Sequence, residues 1–199
     1  MVELLLSYKA KINQRSMWGF TPLQLTAHNH NTKTIELLLS HGAKINAKDD
    51  DRSTALHHAV RIHNLEGVKV LLSYGAKINE KDDQRKTALH IAVEYGFTDI
   101  SEALVLHGAK INEKDNCGNT ALYIAAFCNH KEIAKLLISH GAKINEKNKS
   151  RKTALHFAAD KKGIEIIELL ISHGANINEK MKMVETLFIL HPSMILIKK

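Results

Sequence analysis

Thirteen histidines, two cysteines and repeated acidic pairs are the groups in this 199-residue chain that could do chemistry. Histidine with cysteine or carboxylate would hold a transition metal, and histidine beside a nucleophile would serve acyl transfer. The spacing argues against both. His57, His90 and His156 are separated by multiples of 33 residues, as are His41, His107, His140 and His173. Each set therefore marks equivalent points of a recurring unit, about 8–10 Å apart if the units are packed helices. An ion shared at about 2 Å cannot bridge that distance. Cys117 and Cys128 form neither a zinc pattern nor a disulfide framework. The chain has no Gly-x-Ser-x-Gly, no phosphate-binding loop and no nucleophile with a non-repeated histidine and acid. No catalytic residue, cofactor or metal is expected. Asp49-Asp50 and Asp82-Asp83 fall in turn phases and are expected to be solvated turn tips.

The elements that carry these groups repeat with them. TPLQLTA, TALHHAV, TALHIAV, TALYIAA and TALHFAA begin at Thr21, Thr54, Thr87, Thr120 and Thr153, each 33 residues after the last. HGAKIN, YGAKIN, HGAKIN, HGAKIN and HGANIN begin at His41, Tyr74, His107, His140 and His173. Self-similarity at this period means a stacked solenoid in which one supersecondary unit recurs. With these letters the chain resembles ankyrin-repeat proteins from residue 1 to about residue 180. The resemblance implies an all-α solenoid of stacked helix-turn-helix units with β-turn-like fingertips, and a protein that works by binding other proteins. It also implies that the TALH histidines are hydrogen-bonding struts between repeats, and that turn tips and first helices line a concave groove.

Five full repeats are expected at 16–48, 49–81, 82–114, 115–147 and 148–180, after a partial repeat at 1–15 that holds only a second helix. In each, the threonine opens the first helix and offers its hydroxyl to an orphan N–H. Leu56, Leu89, Leu122 and Leu155 face the neighbouring repeat, and Ala59, Ala92, Ala125 and Ala158 let helices approach. Gly42, Gly75, Gly108, Gly141 and Gly174 end the second helices in the left-handed region. Gly19 and Gly118 stand in the turns where Arg52, Arg85 and Arg151 replace glycine, so those three turns are expected to be adjusted or strained.

After Lys180 the repeat letters fail. Lys-Met-Lys-Met-Val-Glu can be written AAA ATG AAA ATG GTA GAA, and one G restored after the first codon gives AAA GAT GAA AAT GGT AGA, or KDENGR. Residues 181–199 are expected to be a frameshifted repeat, which nucleotide sequence tests directly. The chain is expected to be a fragment of a longer array, and a catalytic or membrane domain could lie outside it.

The formal charge of +7 and pI near 9.3 could favour acidic partners or nucleic acid. Much of that charge is periodic: Lys44, Lys77, Lys110 and Lys143 share one phase and Lys48, Lys81, Lys114, Lys147 and Lys180 another, with Glu80, Glu113, Glu146 and Glu179 directly before the last four of these. A solvated mixed-charge face is expected. Nucleic acid or an anionic surface would have to be met by Arg52, Arg85, Lys86, Arg151 and Lys152, beside the acids Asp50, Asp51, Asp82 and Asp83. No N-terminal stretch reads as a charged region followed by 7–15 apolar residues, and the apolar stretch 187–197 is too short to span a bilayer. A monomer without membrane insertion, in the cytoplasm or nucleus, is expected. Letters that vary at exposed phases are free to recognise a partner. On that ground the expected protein-binding residues are Trp18, Phe20, Ile62, Tyr95 and Phe127, with Arg61, Glu94 and Asp160. Trp18 and Phe20 could instead cover the end of the truncated first repeat.

Overall fold

The computed structural model describes residues 11–177. Among them are ten helices in five pairs. The first helices of the pairs are α1 (Pro22–His28), α3 (Ala55–Arg61), α5 (Ala88–Glu94), α7 (Ala121–Cys128) and α9 (Ala154–Asp160). The second helices are α2 (Thr32–Ser40), α4 (Leu65–Ser73), α6 (Thr98–Leu106), α8 (Lys131–Ser139) and α10 (Ile164–Ser172). Each packs on its pair partner and on its counterpart in the next repeat, so the apolar interior runs along the stack. The expected tail at 181–199 and residues 1–10 of the expected partial repeat lie outside the described residues. No helix among the described residues is long and apolar enough to cross a membrane.

Local chemistry sets the length of each helix. Thr21, Thr54, Thr87, Thr120 and Thr153 sit at the N-caps with extended backbone, followed by Pro-Leu in the first repeat and by Ala-Leu, which favours the helix, in the other four. The first helices stop where His30, His63, Gly96, Asn129 and Lys162 take positive φ of 54–74°. The second helices stop at the expected glycines, whose φ is 82–89°. A Cβ at any of those five would meet nothing within 4 Å, so backbone conformation and not space demands glycine there. Leu56, Leu89, Leu122 and Leu155 are 1–2% exposed, and the four expected alanines are fully buried. Each buried leucine is worth about 1.5–3 kcal/mol relative to leaving it exposed.

The strut position carries the most specific bonding between repeats. His57 Nδ1 accepts from the Thr54 N–H at 3.1 Å, while Nε2 lies 3.3 Å from the Lys86 carbonyl. His90 does the same, with Nδ1 at 3.2 Å from the Thr87 nitrogen and Nε2 at 3.1 Å from Glu113 O and 3.3 Å from Asn119 O. One accepting and one donating nitrogen define a neutral Nε2–H imidazole. Burial drives the pKa of His57 down to about 4 and lowers that of His90. In the first repeat Gln24 reproduces the pattern: Oε1 accepts from the Thr21 N–H at 2.7 Å, and Nε2 donates to Ser53 O at 2.7 Å. In the fourth, Tyr123 bonds forward instead, its hydroxyl accepting from Asn148 Nδ2 at 2.9 Å. The threonine hydroxyl caps as expected at Thr21 and Thr120. At Thr54, Thr87 and Thr153 it lies 2.7–2.9 Å from the imidazole Nδ1, to which it donates.

Two further ladders correct the expectation of a solvated mixed-charge face. Asn13, Asn46, Asn79, Asn112 and Asn145 each accept, at 2.8 Å, from the backbone N–H of the residue 31 positions on. Lys48, Lys81 and Lys114 donate to the carbonyls of Lys81, Lys114 and Lys147 at 2.9–3.1 Å. The same ammonium groups pair with Glu80, Glu113 and Glu146 at 2.6–2.8 Å. Those lysine contacts hold all three glutamate carboxyls below their ordinary range. The alternating charges tie consecutive repeats together, and the lysine side chains are partly buried to do so.

The turns bring one more correction. Asp49 and Asp82 are 5% and 4% exposed, so one acid of each pair is buried and not a solvated tip. Their Oδ1 atoms accept from the backbone N–H of Ser53 and Lys86 at 2.8 Å, closing the turn from inside. Arg52, Arg85 and Arg151 take φ of 57–61°, close to Gly19 at 73° and Gly118 at 80°, so the turns keep one conformation and arginine adopts it. Neighbouring tips are joined by backbone bonds of 2.9 Å from Asp83 N to Asp51 O, Asn116 N to Gln84 O and Lys149 N to Cys117 O.

Candidate protein-binding groove

The turn tips and first helices of the first three complete repeats enclose an open groove of about 700 Å³. Four of the eight expected binding residues line it: Phe20, Arg61, Glu94 and Tyr95. Trp18, Ile62, Phe127 and Asp160 lie outside its lining.

The wall of the groove is held by a His–Asp hydrogen bond and an Arg–Asp ion pair, joined through Ser53. His58 Nε2 is 2.6 Å from Asp49 Oδ2, and its ring lies 5.1 Å from Phe20. Burial lowers the His58 pKa, against the opposing pull of Asp49. Arg61 donates to Ser53 Oγ at 2.9 Å and to Asp82 Oδ2 at 3.0 Å. Burial raises the Asp82 pKa, opposed by the Lys86 backbone N–H and the Arg61 charge. The Arg61 guanidinium thus fastens α3 to the next turn and has its strongest donors occupied. Glu94 pairs with Lys86 at 2.7 Å in the open. Asp51 and Asp83 stand exposed on adjacent tips and make no ion pair among the described residues.

Tyr95 is 56% exposed at the groove edge, and its ring stacks on Phe97 at 5.5 Å. Phe97 in turn stacks on His63 at 4.2 Å, and His63 Nε2 is 2.8 Å from Asp99. The outer aromatic is thereby held in place by a stack that crosses from one repeat to the next. Phe127, 44% exposed, belongs to a second cluster further along the stack. It lies 5.5 Å from Phe157, with Lys161 4.6 Å above its ring and Lys152 4.7 Å from that of Phe157. Asp160 pairs with Lys152 at 3.6 Å. Trp18 is exposed at the first tip, and Ile62 is half-buried at the C-cap of α3.

Sequence reasoning missed Leu25, His58 and Ile91 in the lining and Phe157 in the second cluster. A signal was available. These residues share the variable position inside the T-x-L-H-x-A motif, where the five repeats carry Leu25, His58, Ile91, Ile124 and Phe157. Among the described residues no three His, Cys, Asp or Glu side chains are grouped as a metal site requires. Cys117 and Cys128 are free thiols, and burial raises the pKa of Cys128. A more open cleft of about 390 Å³ is lined by Arg85, Lys114, Asp115, Gly118, Lys147, Asn148 and Lys149.

Comparison with known families matches residues 1–82 and 89–181 to ankyrin repeats (3 copies), and residues 63–105 to ankyrin repeats (many copies). A search of curated proteins returned no match. Ankyrin repeats are in general protein–protein interaction modules. With the family match covering nearly all of the described residues and five helix pairs in the same register, the chain belongs to the ankyrin-repeat family.

Proposed function

We propose that this chain is a scaffold or adaptor that holds a partner protein along the concave surface of its turn tips and first helices, with no chemistry of its own. Phe20, Tyr95 and Phe127 supply apolar contacts, with Trp18 and Ile62 at the margins. Glu94 and Asp160 supply polar contacts, and Arg61 keeps the groove wall in shape. The observation that carries the reading is Tyr95, a large aromatic left 56% exposed at the edge of a groove while its ring is held by Phe97. A displayed, ordered aromatic is the residue type that dominates binding at protein interfaces. The setting is a cytoplasmic or nuclear one in which Cys117 and Cys128 stay reduced, with the chain a monomer.

The test is capture from native lysate by the wild-type chain and by a Tyr95→Ala/Phe127→Ala variant, at low and raised salt and after nuclease treatment. The expected result is a discrete protein retained by the wild type through both treatments and lost by the variant. Equal retention by the variant removes these residues from the site. Loss of all captured material with salt or nuclease favours the electrostatic alternative at the basic tips. That alternative has less to work with than the sequence suggests, because Lys86 is paired with Glu94 and Lys152 with Asp160.

A further inference from the structure

The chain as a whole is basic, at +7, yet the groove is not. Asp82 and Arg61 neutralise one another within its wall at 3.0 Å. Of the remaining carboxylates and ammonium groups in the lining, Asp51, Asp83 and Glu94 stand against Lys86 alone, an exposed balance of two negative charges. The backbone bond from Asp83 N–H to Asp51 O, 2.9 Å long, fixes two acid-bearing tips side by side. The same lining holds apolar surface: Leu25, which is 45% exposed, Phe20 and Tyr95.

From this charge pattern we infer that the occupant of the groove is an extended basic peptide segment of a partner, with lysine or arginine flanking an apolar anchor. The proposal rests on the scaffold reading above and names the chemistry of its partner. The anchor seats against Tyr95, apolar neighbours of the segment reach Leu25 and Phe20 two repeats away, and the flanking cations meet Asp51, Asp83 and Glu94. Adjacent repeats are about 8–10 Å apart, and an extended chain rises about 3.3 Å per residue. The cations that reach neighbouring tips are therefore two or three residues apart in the partner. Because the rest of the chain repels cations, attraction is confined to within about a Debye length of the groove, roughly 8–10 Å at moderate salt. Selectivity then requires that cations and anchor arrive together, since a polybasic segment without an anchor meets the net positive field with only local compensation.

The test uses random twelve-residue peptides displayed on phage, selected against the full chain. Recovered peptides are then synthesised, and their affinity is measured for the wild type, for Asp51→Asn/Asp83→Asn/Glu94→Gln, and for Tyr95→Ala. All of these positions are exposed, and thermal melts confirm that each variant is folded. The triple variant turns the exposed groove balance from two negative charges to one positive. The expected result is enrichment of lysine and arginine at that spacing around leucine, isoleucine or phenylalanine, with affinity for the triple variant lower by about tenfold or more. Recovered peptides without cationic enrichment, an unchanged affinity for the triple variant, or failure to recover any peptide would each overturn the inference. Peptides that tolerate the charge changes but are lost with Tyr95→Ala sink the charge assignment and leave the scaffold reading standing. Peptides indifferent to both sets bind elsewhere, and both readings fall.

Discussion

The asparagine and lysine–glutamate ladders and the groove are made from the same five repeats, yet they use sequence in opposite ways. Asn46, Asn79, Asn112 and Asn145 are identical because each bonds to backbone of the next repeat, and that backbone presents the same N–H every time. Leu25, His58, Ile91, Ile124 and Phe157 hold four residue types at one phase, and the first three line the groove, where no repeated backbone group sets the choice. In a solenoid, sameness marks the places where a repeat meets a repeat, and difference marks what is left for something else.

The strongest way to break this contrast is to cut the frame. Leu89→Ala removes a side chain that is 1% exposed between α5 and its neighbours, and should cost about 2–5 kcal/mol in urea unfolding. Leu25→Ala, on the 45% exposed groove position, should cost no more than about 0.5 kcal/mol. A large loss at Leu25 would place that side chain in the frame beside its buried counterpart Ile91.

Acid sharpens the same comparison, because the frame has titratable struts. His57 has a folded pKa of about 4 against an ordinary value of 6.5. As pH falls through about 6.5 the unfolded chain binds a proton that the folded chain refuses, so stability declines until the folded pKa is reached and then levels off. That group alone removes up to about 3 kcal/mol, and His90 acts in the same direction. Gln24 already performs this bonding without a titrating group. His57→Gln should therefore keep most of the stability at neutral pH and flatten the acid limb, read as urea midpoints for variant and parent from about pH 7 to pH 4. An unflattened limb would place the acid sensitivity elsewhere, with the carboxylates of the turns as the next candidates.

On the groove side the effect moves from folding to binding. Tyr95→Ala with Phe127→Ala should weaken partner capture by about 2 kcal/mol or more. Thermal stability should change little, since both rings are about half exposed. Loss of stability equal to the loss of binding would return the two aromatics to the frame.

Most of the frame was legible in the letters because period, caps and glycine stops each have a local cause. The threonines, the buried leucines and the second-helix glycines stand where sequence places them. The turn acids were not legible as buried, because one carboxylate in each Asp pair closes the turn and its neighbour points outward, and composition treats them alike. The ion-pair ladder was visible as a charge pattern but not as a tie, since the bond runs 33 residues along the chain to a carbonyl. Arg61 was legible as a variable, exposed-phase residue, but its engagement with Ser53 and Asp82 depends on the three-dimensional approach of the next turn. The spread of the candidate site was beyond reach for the same reason: Phe20 and Tyr95 come to one groove while Phe127 joins Phe157.

The smallest expected effect concerns a position that belongs to both regions, the fourth residue of the turn. Arg52 holds φ 58° where Gly19 and Gly118 hold 73° and 80°. The left-handed region costs a non-glycine residue about 1–2 kcal/mol, and glycine's freedom in the unfolded chain returns about 0.5–1 kcal/mol of that. Arg52→Gly should therefore stabilise the fold by about 0.5–1 kcal/mol, measured as a raised urea midpoint. The reverse change is not symmetrical. A Cβ at Gly118 would lie 2.9 Å from the backbone nitrogen of Lys149 on the next tip, which donates back to Cys117 O, so Gly118→Ala should destabilise through both φ and contact. Arginine at 52 that proves no worse than glycine would mean that the inner bonds of the turn, from Ser53 N–H to Asp49 Oδ1 and from Arg52 N–H to Asp49 O, already offset the strain. In that case the tips are as firmly framed as the ladders, and the side chains they display are the only part of them free to vary.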